Sequence, residues 1–204
     1  LNGLTDKIRT SIVRNFSAKA ATEIAIYDLF GQHYKAPLYK LLGGGENSIS
    51  TDITISVDYI DKMVDDTLKA IDLGFETLKV KVGKDPALDI ERIKAIYAAV
   101  NDRALIRLDA NQGWTLDQAK EFMKAADAFS LGWIEEPVAA DTTLEAWQDL
   151  AAQIKTPIAA GENIFGQGDF NDALASKAFK FIQPDVAKWG GVSGCYRVAS
   201  NTVA

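Results

Sequence analysis

Short apolar, β-branched runs alternate with amphipathic stretches along most of the chain. Runs typical of buried strands lie at 50–57, 76–82, 104–109, 132–136, 157–161 and 179–184. Between them, apolar residues recur at helical spacing near 59–73, 86–100, 115–129, 143–153 and 168–176. Successive strands begin about 25 residues apart. This rhythm predicts βα units around a parallel sheet, either a doubly wound sheet or most of a (β/α)8 barrel.

The first 46 residues do not share this rhythm. A helix is predicted to begin at Ser17, a suitable N-cap, and to end at Gly31. Pro37 and the glycines at 43–45 then indicate a boundary near residues 43–46. The chain is therefore expected to consist of a helical segment followed by a βα region.

The composition narrows the functional classes. The chain of 204 residues has a net charge of −6 and no basic stripe, which argues against a nucleic-acid partner. No apolar run approaches the ~20 residues that span a bilayer, so no membrane partner is expected. The opening residues do not resemble a signal peptide, and the single cysteine, Cys195, suits a reducing compartment. We expect a cytoplasmic enzyme or binding protein.

Ionisable or amide side chains stand at the end of each predicted strand after the first. They are Lys79 and Lys81, Asp109 and Asn111, Glu135, Glu162, and Asp185. The C-terminal ends of barrel strands converge on one mouth, where barrel active sites lie. One such residue alone is usually a helix cap or a solvated charge, but residues that repeat in phase with the fold unit indicate a site. Three carboxylates on neighbouring strands form an oxygen-ligand set suited to Mg²⁺.

The motifs that carry these residues resemble the enolase superfamily, in its mandelate racemase and muconate lactonizing enzyme branches. They are, in chain order, Lys-x-Lys, Asp-x-Asn, Trp-Ile-Glu-Glu-Pro, Gly-Glu-Asn and Pro-Asp-x-x-Lys-x-Gly-Gly. The resemblance covers nearly the whole chain. It implies a TIM-type (β/α) barrel, with about six βα units present in residues 47–204, preceded by the end of an α+β capping domain in residues 1–46.

The resemblance also implies a metal and a reaction. The implied ligands of Mg²⁺, or of Mn²⁺ as a substitute, are Asp109, Glu135 and Glu162. The shared chemistry is removal of the proton α to the carboxylate of a small-molecule substrate, through an enediolate intermediate. A divalent ion and nearby cationic lysine would stabilise that charge. Relatives are often homo-oligomers, so a homo-oligomer is expected here.

The two lysines in "ETLKVKVG" point to one face of their strand, because side chains alternate with period two. The resemblance makes Lys81 the acid/base residue, with Lys79 beside it to orient the substrate carboxylate, and it places Asn111 in contact with the substrate. A second ammonium group and a nearby metal cation both disfavour charged lysine. We therefore expect the doublet to lower a lysine pKa from ~10.4 toward the range in which lysine serves as a general base.

Two late motifs decide between the branches. Gly-Glu-Asn and Asp185 resemble the mandelate racemase branch, which favours an acid-sugar dehydratase or a 2-hydroxy-acid racemase with Asp185 as a catalytic residue. Its expected histidine partner would lie about 25 residues further on, past residue 204, and His33 cannot replace it. The first half of the chain is closer to the dipeptide epimerases. A dipeptide epimerase or cycloisomerase, or an inactive barrel fragment that only binds or assembles, is therefore the alternative.

Overall fold

The computed structural model describes residues 1–45 and 48–201. The described residues form two compact units. The first draws on Leu1–Ile49, Ile164–Asn171 and Gln183–Ala204, and the second on Ser50–Asn163 and Asp172–Ile182. The domain boundary predicted between residues 46 and 47 lies outside the described residues.

Helices begin and end close to the predicted positions. In chain order they are α1 (Asn2–Ser11), α2 (Phe16–Tyr34), α3 (Leu38–Leu41), α4 (Ile60–Asp72), α5 (Pro86–Val100), α6 (Leu116–Ala126), α7 (Leu144–Gln153), α8 (Gln167–Ser176) and α9 (Val192–Asn201). Several N-termini follow from local sequence. Asp85 accepts hydrogen bonds from the first amides of α5, and Thr115 forms a capping box with Gln118 at the start of α6. Within the described residues, no helix is both long enough and apolar enough to cross a bilayer.

The bounds predicted for α2 are wrong at both ends. The helix begins at Phe16, one residue before Ser17, and runs through Gly31 to Tyr34. A glycine inside a helix destabilises it by only about 1 kcal/mol, so Gly31 does not stop the helix. The turn ends at Lys35, whose left-handed backbone (φ 51°) lets its amide donate to the carbonyl oxygens of Gly31 and Gln32.

A parallel sheet forms the centre of the second unit. Its described strands are β1 (Ile53–Ile55), β2 (Thr77–Lys81), β3 (Leu105–Asp109), β4 (Leu131–Glu135), β5 (Ile158–Ala160) and β6 (Phe181–Ile182). They pair in the order in which they occur along the chain. A doubly wound sheet would reverse direction after its first strands. The sequential order is instead that of a barrel wall, which excludes the doubly wound alternative.

The two faces of this sheet differ in chemistry. On β2, Leu78 and Val80 are fully buried, whereas Lys79 and Lys81 on the other face are partly exposed. The apolar face packs into a core of buried aliphatic and aromatic side chains supplied by the flanking helices, among them Ile93, Ile96, Phe122, Met123 and Leu150. Burial of this face fixes the register, because a slip by one residue would turn the lysines into the core. The apolar pattern therefore determines where the lysines point.

Backbone segments approach closely where β2 and β3 end. Gly83 has φ +99°, and a Cβ there would lie 2.1 Å from the carbonyl oxygen of Ala110. A Cβ on Gly113 would lie 1.9 Å from the carbonyl oxygen of Gly83. Both contacts are with backbone, which cannot swing away as a side chain can. The loops after β2 and β3, which carry the candidate site residues, therefore interlock through these two glycines.

We predict that Gly113→Ala destabilises the fold by at least about 2 kcal/mol, because the new methyl group overlaps backbone. Gly168→Ala is the matched control. Gly168 lies in α8 with nothing within 4 Å of an added Cβ, so alanine there is expected to be neutral or to stabilise by up to ~1 kcal/mol. Urea unfolding midpoints measure both. Equal midpoints for the two variants would show that the loops are not interlocked.

A buried carboxylate organises the first unit. Glu23 on α2 is 2% exposed and accepts hydrogen bonds from the backbone amide of Ser193 at 2.9 Å and from its hydroxyl at 2.5 Å. Ser193 lies in the first turn of α9, where amides have no partner within the helix. A Cβ on Gly191 would lie 2.0 Å from Glu23 Oε2, so this approach requires glycine. Glu23 thus joins α2 to the start of α9.

Candidate active site

Strand register brings four of the predicted site residues together. Lys81 pairs with Asp109 across β2 and β3, and Asp109 pairs with Glu135 across β3 and β4. Paired residues on parallel strands present their side chains to the same face. Lys79 joins them because it is two residues before Lys81. The site therefore lies on the polar face of the sheet, at the C-terminal ends of three adjacent strands.

Two ammonium groups converge on one buried carboxylate. Lys79 Nζ lies 2.9 Å from Asp109 Oδ2 and 2.8 Å from Glu135 Oε2, and Lys81 Nζ lies 2.6 Å from Asp109 Oδ2. Asp109 is 1% exposed and Glu135 is 7% exposed. Carboxylates so far from water require compensating charge. The lysine pair supplies it, which answers why two like charges stand side by side on one strand.

Amide side chains connect this cluster to Glu162. Lys81 Nζ donates to Asn111 Oδ1 at 2.7 Å, and Asn111 Nδ2 donates to Glu162 Oε2 at 3.2 Å. Gln112 Nε2 donates to Glu162 Oε1 at 3.0 Å. Both amide residues have a left-handed backbone, with φ 45° for Asn111 and 63° for Gln112. That turn directs two consecutive side chains toward the same glutamate.

The expected lowering of a lysine pKa is wrong for Lys79 in this arrangement. Burial lowers the pKa of Lys79, but hydrogen bonds to Glu135 and Asp109, together with the charges of these carboxylates, outweigh burial. The pKa of Lys79 is therefore raised above its ordinary value. Lys79 is a permanent cation of the site at neutral pH.

Glu136 is a buried acid that the sequence reasoning did not assign to the site. It is 0% exposed, and its Oε1 accepts a hydrogen bond from the amide of Gly161 at 2.7 Å. Burial raises the pKa of Glu136 to about 8, against the opposing effect of the Gly161 and Asn163 amides. The doubled glutamate before proline in "WIEEP" was the available signal. Nothing in that signal indicates the partner, which lies a full βα unit further along the chain.

The residues suit Mg²⁺ by their chemistry. Asp109, Glu135 and Glu162 are hard oxygen donors, and the buried Asp109 and Glu135 lie in contact with cationic groups already. Among the described residues, no three acidic, imidazole or thiol side chains yet converge closely enough to hold an ion, and lysine ammonium groups contact these oxygens instead. The donor set fits the ion, and the assignment of the three ligands stays a prediction.

Asp185 belongs to the first unit. Its Oδ1 accepts hydrogen bonds from the amides of Ala187 at 2.7 Å and Lys188 at 3.4 Å, and its Oδ2 lies 3.8 Å from Lys188 Nζ. These contacts are those of a carboxylate that caps a turn. The catalytic role expected of Asp185 stays a prediction.

Cys195 behaves as a structural thiol. Burial, helped by the charges of Asp185 and Glu23, raises the pKa of Cys195 to about 11. Only about one thiol in a thousand is then ionised at pH 8, since thiolate falls tenfold per pH unit below the pKa. We predict that the native protein reacts with a disulfide reagent at pH 8 at least ~10-fold more slowly than the urea-unfolded protein. Equal rates would contradict the burial of this thiol.

A sequentially ordered parallel sheet with lysines and carboxylates at its C-terminal edge defines a (β/α)-barrel protein of the enolase type. Residues 62–202 match the family model described as "Enolase C-terminal domain-like". The chain belongs to this family, which confirms the resemblance inferred from the motifs and the class of fold.

Relatives with different activities share this fold. The L-Ala-D/L-Glu epimerase of Clostridium acetobutylicum is 40% identical over 199 residues, which is 95% of this chain and 54% of the relative. The substrate-liganded L-Ala-D/L-Glu epimerase from Bacillus subtilis superposes with a TM-score of 0.93 at 33% identity, covering 99% of this chain and 57% of that one. The L-talarate dehydratase from Polaromonas sp. JS666, complexed with Mg and L-glucarate, gives a TM-score of 0.87 at 31% identity, covering 98% and 58%.

Relatives matched by this chain thus include epimerases and dehydratases, and also a cycloisomerase. The chain spans about half the length of the curated relatives it matches.

Proposed function

We propose that this chain carries the catalytic face of a Mg²⁺-dependent enzyme that removes the proton α to the carboxylate of a small-molecule substrate. The observation that carries the proposal is the convergence of two lysine ammonium groups, 2.6 and 2.9 Å away, on the buried Asp109 carboxylate at the strand ends. Carboxylates and lysines in contact in a barrel mouth can hold an anionic substrate and move a proton.

The two lysines have different roles. Lys79 remains charged, because its pKa is raised by its contacts with Glu135 and Asp109, and it binds the substrate carboxylate. Lys81 is the acid/base residue. It contacts one acidic oxygen, and Asn111 Oδ1 accepts a second hydrogen bond from it and so orients the amine. Asn111 also lies where it can contact the substrate.

Asp109, Glu135 and Glu162 are the residues that would hold Mg²⁺, with Mn²⁺ as a substitute. When bound, the ion supplies positive charge that stabilises the enediolate formed from the substrate carboxylate. Mg is present in the talarate dehydratase complex and in two dipeptide epimerase complexes among the structural neighbours, which supports the choice of ion. The low exposure of Asp109 and Glu135 keeps water from competing for the same oxygens.

Two reactions compete for the second half of the mechanism. Dehydration of an acid sugar, or racemisation of a 2-hydroxy acid, is supported by Gly-Glu-Asn and by a carboxylate, Asp185, where dipeptide epimerases have their second lysine. Dipeptide epimerisation is supported by the 40% identity to the L-Ala-D/L-Glu epimerase of Clostridium acetobutylicum. The same α-proton leaves in both, so the substrate and the product distinguish them.

The intact protein, incubated with Mg²⁺ in D₂O and followed by NMR, separates these reactions. The panel contains acid sugars, 2-hydroxy acids and dipeptides. Dehydration breaks the bond to the β-hydroxyl, releases water and yields a 2-keto-3-deoxy acid. Racemisation or epimerisation keeps every carbon–oxygen bond and places deuterium on the α-carbon. An absence of both exchange and elimination across the panel would support the inactive-fragment alternative and would overturn the proposal.

We also propose that the protein is a cytoplasmic homo-oligomer. The relatives motivate this expectation, as does the single cysteine, which suits a reducing compartment. Light scattering coupled to gel filtration measures the oligomeric state, and a monomer at all concentrations would refute that part.

A further inference from the structure

Gln112 joins the loops that follow three different strands. Its Nε2 donates to Glu162 Oε1 at 3.0 Å, in the loop after β5. Its Oε1 accepts a hydrogen bond from the amide of Ala140 at 2.9 Å, in the loop after β4. Its own amide donates to the carbonyl oxygen of Glu136 at 2.7 Å. The side-chain amide and the backbone amide are therefore all engaged.

The Ala140 contact fixes which end of the Gln112 amide faces Glu162. A backbone amide can only donate, so the group that faces Ala140 must be the side-chain oxygen. The NH₂ group is then left to face Glu162, whose ionised carboxylate can only accept. The orientation of Gln112 thus follows from its two partners and requires no choice between flipped amides.

The backbone on either side of Glu162 is held as well. The buried Glu136 carboxylate accepts hydrogen bonds from the amides of Gly161 at 2.7 Å and Asn163 at 3.4 Å. With its backbone anchored in this way, Glu162 retains freedom only in its side-chain torsions. Gln112 at Oε1 and Asn111 at Oε2 restrict those torsions, and each leaves lone pairs on both oxygens for a further ligand.

We propose that Gln112 is a positioning residue that holds the Glu162 carboxylate ready for a metal ion. The inference rests on the proposed function, in which Glu162 is a ligand of Mg²⁺. Partners of metal ligands that are not ligands themselves typically contribute 10–100-fold to metal affinity, roughly the size of effect expected here. Gln112 meets the chemical requirement, because only an amide side chain accepts from Ala140 and donates to Glu162 at once.

Two substitutions separate the halves of this contact. Gln112→Glu keeps an oxygen for the Ala140 amide but replaces the donor with a carboxylate that repels Glu162. Gln112→Met has similar length and makes neither hydrogen bond. Both variants are expected to bind Mg²⁺ at least ~10-fold more weakly by calorimetry with the intact protein. Ala140 amide exchange is expected to quicken only in Gln112→Met.

Gln153→Met is the matched control. The Gln153 side chain is exposed on α7 and donates to Asp149 at 2.7 Å, far along the chain from the site residues. Its Mg²⁺ affinity and its Ala140 exchange should equal those of the wild type. A variant that only unfolds more easily shows a lower melting temperature with unchanged affinity below it, so calorimetry well below melting separates positioning from stability.

Mg²⁺ affinity within threefold of wild type in both Gln112 variants would overturn the inference. Unchanged Ala140 exchange in Gln112→Met would also overturn it, since the clamp would then not exist. If the wild type binds no Mg²⁺, the proposed function fails instead. The exchange measurement needs no metal and still decides whether Gln112 makes its contacts.

Discussion

Lys81→Ala is expected to slow loss of the substrate α-proton by at least about a thousandfold in the intact protein, in the range that a positioned acid/base group supplies. The reason is geometric. Lys81 is held by Asp109 and Asn111 at the mouth of the sheet, and no other described amine shares both contacts. The rate is measured by NMR as release of deuterium from a substrate labelled at its α-carbon.

Lys94→Ala provides the control for this variant. Lys94 is exposed on α5 and pairs with Glu91, so its removal should leave the rate unchanged. Mg²⁺ affinity of Lys81→Ala should not fall, because a cation beside the carboxylates has been removed. Deuterium release within threefold of wild type would show that Lys81 is not the acid/base residue.

Asp109→Asn is expected to abolish turnover by two routes. The substitution removes a negative oxygen donor, so Mg²⁺ binding should weaken by at least about a hundredfold, the upper range for perturbing a metal site through one group. It also removes the shared partner of Lys79 and Lys81. Breaking a fully buried ion pair costs ~3–5 kcal/mol. Here the lysine side chains are 19% and 26% exposed and Lys79 keeps Glu135, so a loss of about 1–2 kcal/mol is expected.

Calorimetry with Mg²⁺ and urea unfolding measure these two effects separately. Asp65→Asn is the control, because Asp65 is exposed on α4 and pairs with Lys69 on the same helix. Undiminished Mg²⁺ affinity in Asp109→Asn would remove Asp109 from the proposed ligands. A stability equal to that of wild type would show that the lysine pair does not depend on this carboxylate.

The barrel wall was predictable because each of its signals is local and repeated. Period-two runs such as 76–82 and helical periods such as 86–100 are read within one element, and β2 and α5 form within a residue of those bounds. The converging site was predictable for a related reason. Lys81, Asp109 and Glu135 are one βα unit apart, and register on adjacent parallel strands then places them side by side.

Features that depend on distant loops were not predictable. Gln112 looks like an ordinary loop residue, and its role appears only when residues 140 and 162 are brought to it by three different strands. Glu136 faces the same difficulty. The direction of the Lys79 pKa was wrong because the like charge of Lys81 was weighed without the two carboxylates that contact the Lys79 ammonium directly.

The central claim is tested most directly by the fate of an α-deuterium label under control of Mg²⁺. A substrate found in the panel is labelled at its α-carbon and incubated with the intact protein in ordinary water. The account predicts that the label is released to solvent during turnover, that a chelator stops its release, and that added Mg²⁺ restores it. Product that retains the label, or release that continues unchanged in chelator, would contradict metal-assisted removal of the α-proton at this site.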